Sequence, residues 1–232
     1  MAAPTIDLNA DLGEEVTDDA GLLAVVTSAN VACGYHAGDA EIMRAVCAEA
    51  ARLGVVIGAQ VSYADRANFG RVALDVAPDL LREQVADQVG VLSAIAVSEG
   101  TTVRYLKPHG ALYHRVLDDE EQAAAVLDAS WSLPVLSMPG ALARQAVVAG
   151  RRVLTEGFPD RAYDGGRLRP RSEPGALLTD ESVMAAQAVA LAPSVDSLCL
   201  HGDTPGAVSA AAVVRRVLVG AGWSLRSAVA DR

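Results

Sequence analysis

The alternation of short apolar runs with longer helical stretches constrains the fold of this chain more than any other feature. Seven runs rich in apolar and β-branched residues predict strands, and helix-like stretches or polar loops separate them. Repeated strand-then-helix order predicts a mainly parallel sheet with helices outside it. Because polar residues follow strand after strand, we expect a closed or nearly closed β/α barrel rather than an open sheet with one switch point.

The predicted strands are Thr5–Leu8, Asn30–Cys33, Val55–Ala59, Val103–Leu106, Val135–Ser137, Val153–Thr155 and Ser197–Leu200. The predicted helices are Ala40–Leu53, Pro78–Glu99, Glu120–Ser130, Ala141–Ala149, Asp180–Leu191 and Pro205–Ala221. No Gly/Ser or Pro linker divides the 232 residues, so we expect a single domain over residues 1–232. The charged region Phe158–Pro174 is predicted to be a functional loop or lid.

Composition argues against two classes of function. The net charge is −10 at pH 7 and no basic face is evident, so we do not expect a nucleic-acid binder. Charges or turn residues interrupt every apolar run before it reaches membrane-spanning length, and the N-terminus has no signal core. The cysteines lack metal-type spacing, and Cys33 and Cys199 are predicted to be small buried side chains. These features predict a cytoplasmic protein with reduced thiols.

A single lysine, Lys107, stands among 19 basic residues that are otherwise arginine. It follows an apolar strand-like run and precedes Pro108, His109 and Gly110. A lysine ammonium is a compact charge whose pKa shifts when it is buried, whereas arginine stays protonated. This placement favours a functional role for Lys107. The alternative is a buried ion pair that closes the end of a strand.

Side chains alternate across a strand, and the first predicted strand shows this clearly. The apolar residues of Ile6–Leu12 occupy the even positions, while Asp7, Asn9 and Asp11 share the other face. In a barrel that polar face points into the lumen, where polar groups must be paired, solvated or functional. The alternative is a surface edge strand with one solvated face.

Three of the four histidines follow apolar strands and neighbour a glycine, whereas His114 is predicted to be structural or exposed. Histidines with aspartates could hold a divalent metal that activates water. They could instead act as general acids and bases around the lysine. The spacing leaves both chemistries open, because the residues come from different strands. The catalytic candidates are Asp11, His36, Lys107, His109, His201 and Asp203.

Two polar loops supply candidates for substrate binding. Gly58–Arg71 follows the third predicted strand, and Glu156–Arg171 follows the sixth. Arginines in the second loop could hold a carboxylate or phosphate in a bidentate manner, and Arg161 and Arg171 are the preferred candidates. For most of the other arginines, we expect Asp–Arg pairs that brace the loop. The substrate-binding candidates are Asn9, Asn30, Gln60, Arg66, Arg161 and Arg171.

Six stretches together resemble the LamB/YcsF family, the A subunit of bacterial ATP-dependent 5-oxoprolinase. They are Ile6–Glu14, Ser28–Asp39, Gly58–Arg71, Leu106–Tyr113, Glu156–Arg171 and Leu198–Asp203. The resemblance implies an α/β fold, a distorted seven-stranded β/α (TIM-like) barrel similar to the glycoside hydrolase/deacetylase superfamily. It also implies conversion of 5-oxo-L-proline, ATP and water to L-glutamate, ADP and phosphate, together with two partner subunits, B and C.

The third stretch departs from the family pattern, which typically reads Gly-Ala-His-Pro-Ser-Tyr/Phe-Pro-Asp. Here Gln60, Val61 and Ala64 replace the histidine and both prolines. Glutamine can position a group by hydrogen bonding, but it takes up no proton and is a poor metal ligand.

For an ATP-dependent 5-oxoprolinase, the catalytic candidates and the arginines have expected roles. Asp11 or His36 would be the base, and Lys107 with His109 the electrostatic clamp. His201 and Asp203 would relay protons or bind metal, and an arginine of residues 161–171 would anchor the substrate carboxylate. ATP is the expected cofactor, bound by this chain or by the complex, and Mg²⁺ is the expected metal if one is used. The alternatives are a metal-dependent deacetylase or amide hydrolase without ATP, and a non-catalytic binding subunit, which Gln60 would favour. Assembly into a homo-oligomer is also open.

Overall fold

A closed parallel barrel of seven strands forms the centre of the protein, as the alternation in the sequence predicted. The structure is a computed structural model and describes residues 3–229. The strands are β1 (Thr5–Leu12), β2 (Ser28–Ala32), β3 (Val56–Val61), β4 (Val103–Pro108), β5 (Val135–Ser137), β6 (Val153–Gly157), β7 (Tyr163–Asp164), β8 (Arg167–Leu168), β9 (Ser197–Leu200) and β10 (Ser224–Leu225). Strands β1 to β6 and β9 make the barrel, which closes because β1 pairs with β9. The β7–β8 pair is a separate hairpin, and β10 pairs in parallel with the first residues of β1.

Helices surround the barrel and cover its apolar outer face. They are α1 (Asp19–Leu23), α2 (Ala40–Leu53), α3 (Pro78–Ser98), α4 (Gly110–Asp118), α5 (Glu120–Ala129), α6 (Ala141–Val148), α7 (Glu181–Leu191) and α8 (Ala207–Gly220). The carboxylates of Asp39 and Asp119 accept backbone hydrogen bonds at the starts of α2 and α5, as N-caps do. The sequence did not predict α1 or α4, which are short. None of the helices within residues 3–229 is long and apolar enough to cross a membrane.

The side chains of β1 divide between two environments, as their alternation predicted. The apolar side chains of Ile6, Leu8 and Leu12 belong to the buried core cluster outside the barrel. The alternative of an edge strand is wrong, because β1 pairs with β2 on one side and with β9 on the other. The polar side chains of β1 therefore lie in the lumen, where side chains of neighbouring strands supply their hydrogen bonds.

The floor of the lumen is a closed polar network. The Asp7 carboxylate accepts hydrogen bonds from the hydroxyls of Thr27, Ser28 and Ser197 at 2.5 to 2.8 Å. Burial raises the pKa of Asp7, and these hydrogen bonds only partly oppose the rise. These buried polar groups find their partners within the protein, so the floor anchors the strands beneath the site.

Glycine at position 58 makes room in the lumen for a large side chain. A Cβ at Gly58 would overlap the ring of Tyr105 on β4. The Tyr105 hydroxyl in turn donates a 2.6 Å hydrogen bond to Asn30 Oδ1. The close approach of ring and backbone fills the lumen below the cleft, so the barrel is a packed core and not a pore.

Candidate active site

A cleft of about 690 Å³ opens at the carboxyl ends of the barrel strands. Enzymes with β/α barrels carry their catalytic groups at this end. Four of the six catalytic candidates line the cleft: Asp11, Lys107, His109 and His201. His36 lies directly behind the wall, where its ring stacks on that of His109 with centroids 4.1 Å apart. The strands have therefore brought residues that are distant in sequence to one cavity.

Lys107 lies on the floor of the cleft between two carboxylates. Its Nζ is 3.1 Å from Asp11 Oδ1 and 2.9 Å from Glu156 Oε1. The Cys199 sulfur is also 2.9 Å away, so this cysteine contacts a charge and is more than a small buried side chain. Burial lowers the pKa of Lys107, but Asp11, Cys199 and Glu156 raise it well above its ordinary value. The lysine is therefore charged, and it is both a buried ion pair and part of the cleft surface.

Asp11 is better suited to hold a charge than to take a proton. Burial raises its pKa, but the nearby Lys107 and then His201 outweigh burial and lower it. A carboxylate with a lowered pKa stays ionised at neutral pH and is a weak base. This charge state suits Asp11 to an electrostatic role as the partner of Lys107.

His201 forms a dyad with Asp160 at the wall of the cleft. Its Nδ1 and its backbone N–H both donate to Asp160 Oδ2 at 2.8 Å. Burial lowers the pKa of His201, but Asp160 and then Asp11 raise it above its ordinary value. This arrangement leaves Nε2 as the nitrogen that can exchange a proton with a ligand in the cleft. A histidine oriented by a buried carboxylate is the arrangement of a general base.

The expected partnership of His201 with Asp203 does not form. Alternation had placed both on one face, but β9 ends at Leu200, so the pattern does not extend past the strand. The Asp203 carboxylate instead pairs with the guanidinium groups of Arg71 and Arg171. Burial raises the pKa of Asp203, and these arginines lower it by more. Asp203 positions two arginines at the cleft mouth.

Three arginines make the mouth of the cleft positive. Arg71, Arg161 and Arg171 all line it. Arg161 is 3% exposed, and its guanidinium donates to the carbonyl oxygens of Arg169 and Ala176. Neither of these carbonyl contacts neutralises its charge. This part of the cleft is suited to bind a carboxylate or phosphate group.

Beside the lysine, three buried side chains converge in a group that could hold a metal ion. Glu14, His36 and His109 each bring one ligand atom to within 4.8 Å of the others. His109 Nε2 donates to the Phe69 carbonyl at 3.1 Å, which turns the Nδ1 lone pair inward. A backbone acceptor behind a histidine is typical of metal sites. Two imidazoles and one carboxylate suit Zn²⁺-class ions, whereas the Mg²⁺ expected from the sequence prefers oxygen ligands.

The Gln60 carboxamide lies among these three ligand atoms. Its Nε2 is 2.9 Å from Glu14 Oε1 and 3.0 Å from His109 Nδ1, and its Oε1 is 3.2 Å from His36 Nε2. Burial, followed by the nearby His36, lowers the pKa of His109 well below its ordinary value. His109 is therefore neutral and adds no charge to the clamp expected with Lys107.

The remaining candidates for substrate binding lie outside the cleft lining. Asn9 and Asn30 are in the lumen, where Asn30 Nδ2 donates to both Asn9 Oδ1 and Asp11 Oδ1. Arg66 forms a bidentate pair with the exposed Glu15 and donates to the Gly38 carbonyl. By contrast, His114, which was not a candidate for substrate binding, is exposed as predicted and does line the cleft.

Four residues of the site carried no assigned role in the sequence. They are Glu14, Arg71, Glu156 and Asp160. The structure extends the sixth predicted strand from Thr155 to Gly157, so Glu156 lies in β6, and its position directly after the predicted strand was a usable signal because buried acids are rarely without a partner. The other three lie in loops, where the sequence gives no orientation.

A model of the LamB/YcsF family matches residues 6–231 of the sequence. The chain belongs to the LamB/YcsF family. It is 54% identical to the 5-oxoprolinase A subunit from Streptomyces avermitilis, in an alignment that covers 94% of this chain and 97% of that relative. This LamB/YcsF protein also matches a crystal structure of a lactam utilization protein from Thermus thermophilus. That match has a TM-score of 0.90 and 34% identity, over 96% of this chain and 99% of the other.

The barrel is shared more widely than the sequence. A family 4 carbohydrate esterase from Streptomyces lividans superposes with a TM-score of 0.57 at 10% identity, over 98% of this chain and 93% of that one. At such low identity the match shows the fold alone. It agrees with the seven-stranded β/α barrel expected from the sequence.

Proposed function

We propose that this chain is the A subunit of an ATP-dependent 5-oxoprolinase and that its cleft opens the lactam ring of 5-oxo-L-proline to give L-glutamate. The observation that carries the proposal is the charged Lys107 on the cleft floor beside the His201–Asp160 dyad. Hydrolysis of an amide needs a cation for the developing oxyanion and a base for water, and these residues meet both needs. The Streptomyces relatives, which bear the name of the 5-oxoprolinase A subunit, suggest the substrate.

A lactam is a weak electrophile, and transfer of a phosphoryl group from ATP to its carbonyl oxygen activates the ring carbon. Water then adds to that carbon, the ring C–N bond breaks, and the nitrogen leaves as an amine after taking a proton. A second water releases phosphate from the resulting acyl phosphate. His201 Nε2 accepts the proton of the attacking water and passes it to the ring nitrogen, while Lys107 stabilises the negative charge of the phosphoryl group on the former carbonyl oxygen.

The arginines at the cleft mouth complete the site. Arg161 and Arg171 bind the substrate carboxylate, and Asp203 fixes the position of Arg171. The complex of this chain with partner subunits B and C binds ATP. The sequence of this chain contains no Gly-Lys-Ser/Thr loop for phosphates.

The three donors Glu14, His36 and His109 suggest a second candidate function, metal-dependent amide hydrolysis without ATP, which requires the Gln60 amide to move out of the site. Glu14, His36 and His109 would hold the ion. A Zn²⁺-class ion there would polarise the substrate carbonyl or activate water. In that case turnover needs the metal but neither ATP nor a partner.

The test measures 5-oxoproline-dependent phosphate release and glutamate formation in three mixtures: this chain alone, subunits B and C alone, and all three together. We expect turnover only in the complete mixture, and loss of turnover when His201→Asn replaces the wild type. Turnover by B and C without this chain would contradict the proposal. Lactam hydrolysis by this chain alone, without ATP and abolished by a chelator, would establish the second candidate.

A further inference from the structure

We propose that the Gln60 carboxamide is a built-in occupant of a three-donor site for a Zn²⁺-class cation, and that residue 60 thereby decides whether the chain binds the ion. Glu14, His36 and His109 supply the three donors. In the wild-type chain the amide holds the place of the ion, and the site is closed by hydrogen bonds.

The contacts of Gln60 account for all three inward-facing ligand atoms. The amide NH₂ donates one hydrogen bond to Glu14 Oε1 and the other to His109 Nδ1. The amide carbonyl accepts from His36 Nε2. Gln60 is fully buried in β3, so water does not compete for these hydrogen bonds. One side chain therefore satisfies the same atoms that a cation would bind.

The proton positions agree with this interpretation. His109 donates from Nε2 to the Phe69 carbonyl, so its Nδ1 has a free lone pair to accept from the amide. His36 must carry its proton on Nε2 to donate to the Gln60 carbonyl. Its Nδ1 is buried and has no hydrogen-bond partner among residues 3–229. Both ring nitrogens of His109 therefore have hydrogen-bond partners. His36 has one at Nε2, and that partner is the Gln60 carbonyl.

A cation and the amide place opposite demands on His36. Metal binding requires the lone pair of Nε2, so the proton of His36 would have to move to Nδ1, which has no acceptor within the described part of the chain. It also requires the amide to leave a fully buried position. Binding by the wild-type chain therefore breaks three hydrogen bonds before it forms a coordinate bond. Removal of the amide relieves this competition.

Metal binding can be measured on the purified full-length chain without substrate. Co²⁺ is the probe, because it reports its coordination through visible absorption, and Zn²⁺ is then added to displace it. The variants are Gln60→Ala, which removes the amide, and Gln60→His, which replaces it by an imidazole that can serve as a fourth ligand. The matched control is the double variant with Gln60→Ala and His36→Ala, which removes one of the three donors.

We expect both single variants to bind one Co²⁺ about 10- to 100-fold more tightly than the wild-type chain, the range by which groups around a metal site change affinity. The double variant should lose this gain. Zn²⁺ should also raise the melting temperature of Gln60→Ala, but not that of the wild type, because a ligand stabilises the folded state that binds it. This thermal readout applies even if Gln60→Ala is less stable.

Two results would overturn the proposal. Wild-type chain that binds Co²⁺ as tightly as Gln60→Ala would show that the amide does not compete with the ion. Absence of binding by both folded single variants would show that the three donors do not form a metal site. Neither result depends on the lactam reaction, so the proposed function and this site are tested separately.

Discussion

Lys107 is held by charges on both sides, and this makes its shape as important as its charge. Lys107→Arg keeps the positive charge but forces a planar guanidinium into a space with 3% exposure between Asp11 and Glu156. We expect kcat of the reconstituted complex to fall roughly 100-fold or more, since one preorganised donor contributes about 3 kcal/mol. The melting temperature should change less, because both carboxylates keep a cationic partner.

Lys107→Met separates catalysis from stability at the same position. It leaves two buried carboxylates without their cation, which typically costs about 3–5 kcal/mol. We expect its melting temperature to fall well below that of Lys107→Arg. Arg52→Lys, on the exposed face of α2, is the control and should change neither property. A fully active Lys107→Arg variant would remove Lys107 from the catalytic group.

The His201–Asp160 dyad predicts a defined pH dependence. Asp160 stabilises the protonated imidazole and raises the pKa of His201, which also lies near the charges of Asp11, Lys107 and Asp203. A base works when it is deprotonated, so activity should rise with pH through a pKa above the ordinary value of histidine. Asp160→Asn removes the stabilising charge, which lowers that pKa and moves the acid limb of kcat/KM to lower pH. Asp164→Asn, exposed in the same loop, should leave the profile unchanged.

The loop between β6 and α7 is predicted to position substrate through particular arginines. Arg171 lines the cleft and is oriented by Asp203, whereas Arg169 pairs with the exposed Asp164. If Arg171 binds the substrate carboxylate, Arg171→Ala loses a charge-assisted hydrogen bond of about 1.5–3 kcal/mol and should raise KM roughly 10- to 100-fold. Arg169→Ala should leave KM near the wild-type value. Equal effects of the two variants would mean that the loop acts only as a folded unit.

The loop that follows β3 depends on a glycine where it passes over the histidines. Gly70 has φ +67°, and a Cβ there would overlap Ser62 Oγ and approach the Cβ of His36 and the ring of His109. Its carbonyl also accepts the backbone N–H of Ala111 at the start of α4 at 2.8 Å. The backbone of this loop therefore covers the three-donor site and is hydrogen-bonded to the start of α4.

The whole barrel closes through residues from the two ends of the sequence. Asp7 to Ala10 of β1 pair with Ser197 to Leu200 of β9. The single-domain organisation is a prediction that follows from this closure, and we expect one cooperative transition by far-UV circular dichroism during heating. A chain truncated after residue 195 should not fold, because the barrel would be left open between β1 and β6. Two separate transitions in the full-length chain would contradict a single domain.

The sequence alone determined the barrel and the end at which the site lies. Alternation of apolar and polar residues in a strand depends on local backbone geometry, so the inward orientation of Asp11 and the strand position of Lys107 could be inferred without coordinates. The resemblance to the LamB/YcsF family added the expected chemistry. Both kinds of inference use only short stretches of the sequence, read one at a time.

Only the tertiary structure decided which of these side chains pair. Alternation stops where a strand ends, so the sequence assigned Asp203 to His201, whereas the folded chain supplies Asp160 from a different loop. Glu14 and Gln60 likewise meet, because the loop after β1 and the end of β3 come together at one end of the parallel barrel. Partners of this kind depend on loop backbone conformations and on distances through space, and neither is encoded in local spacing.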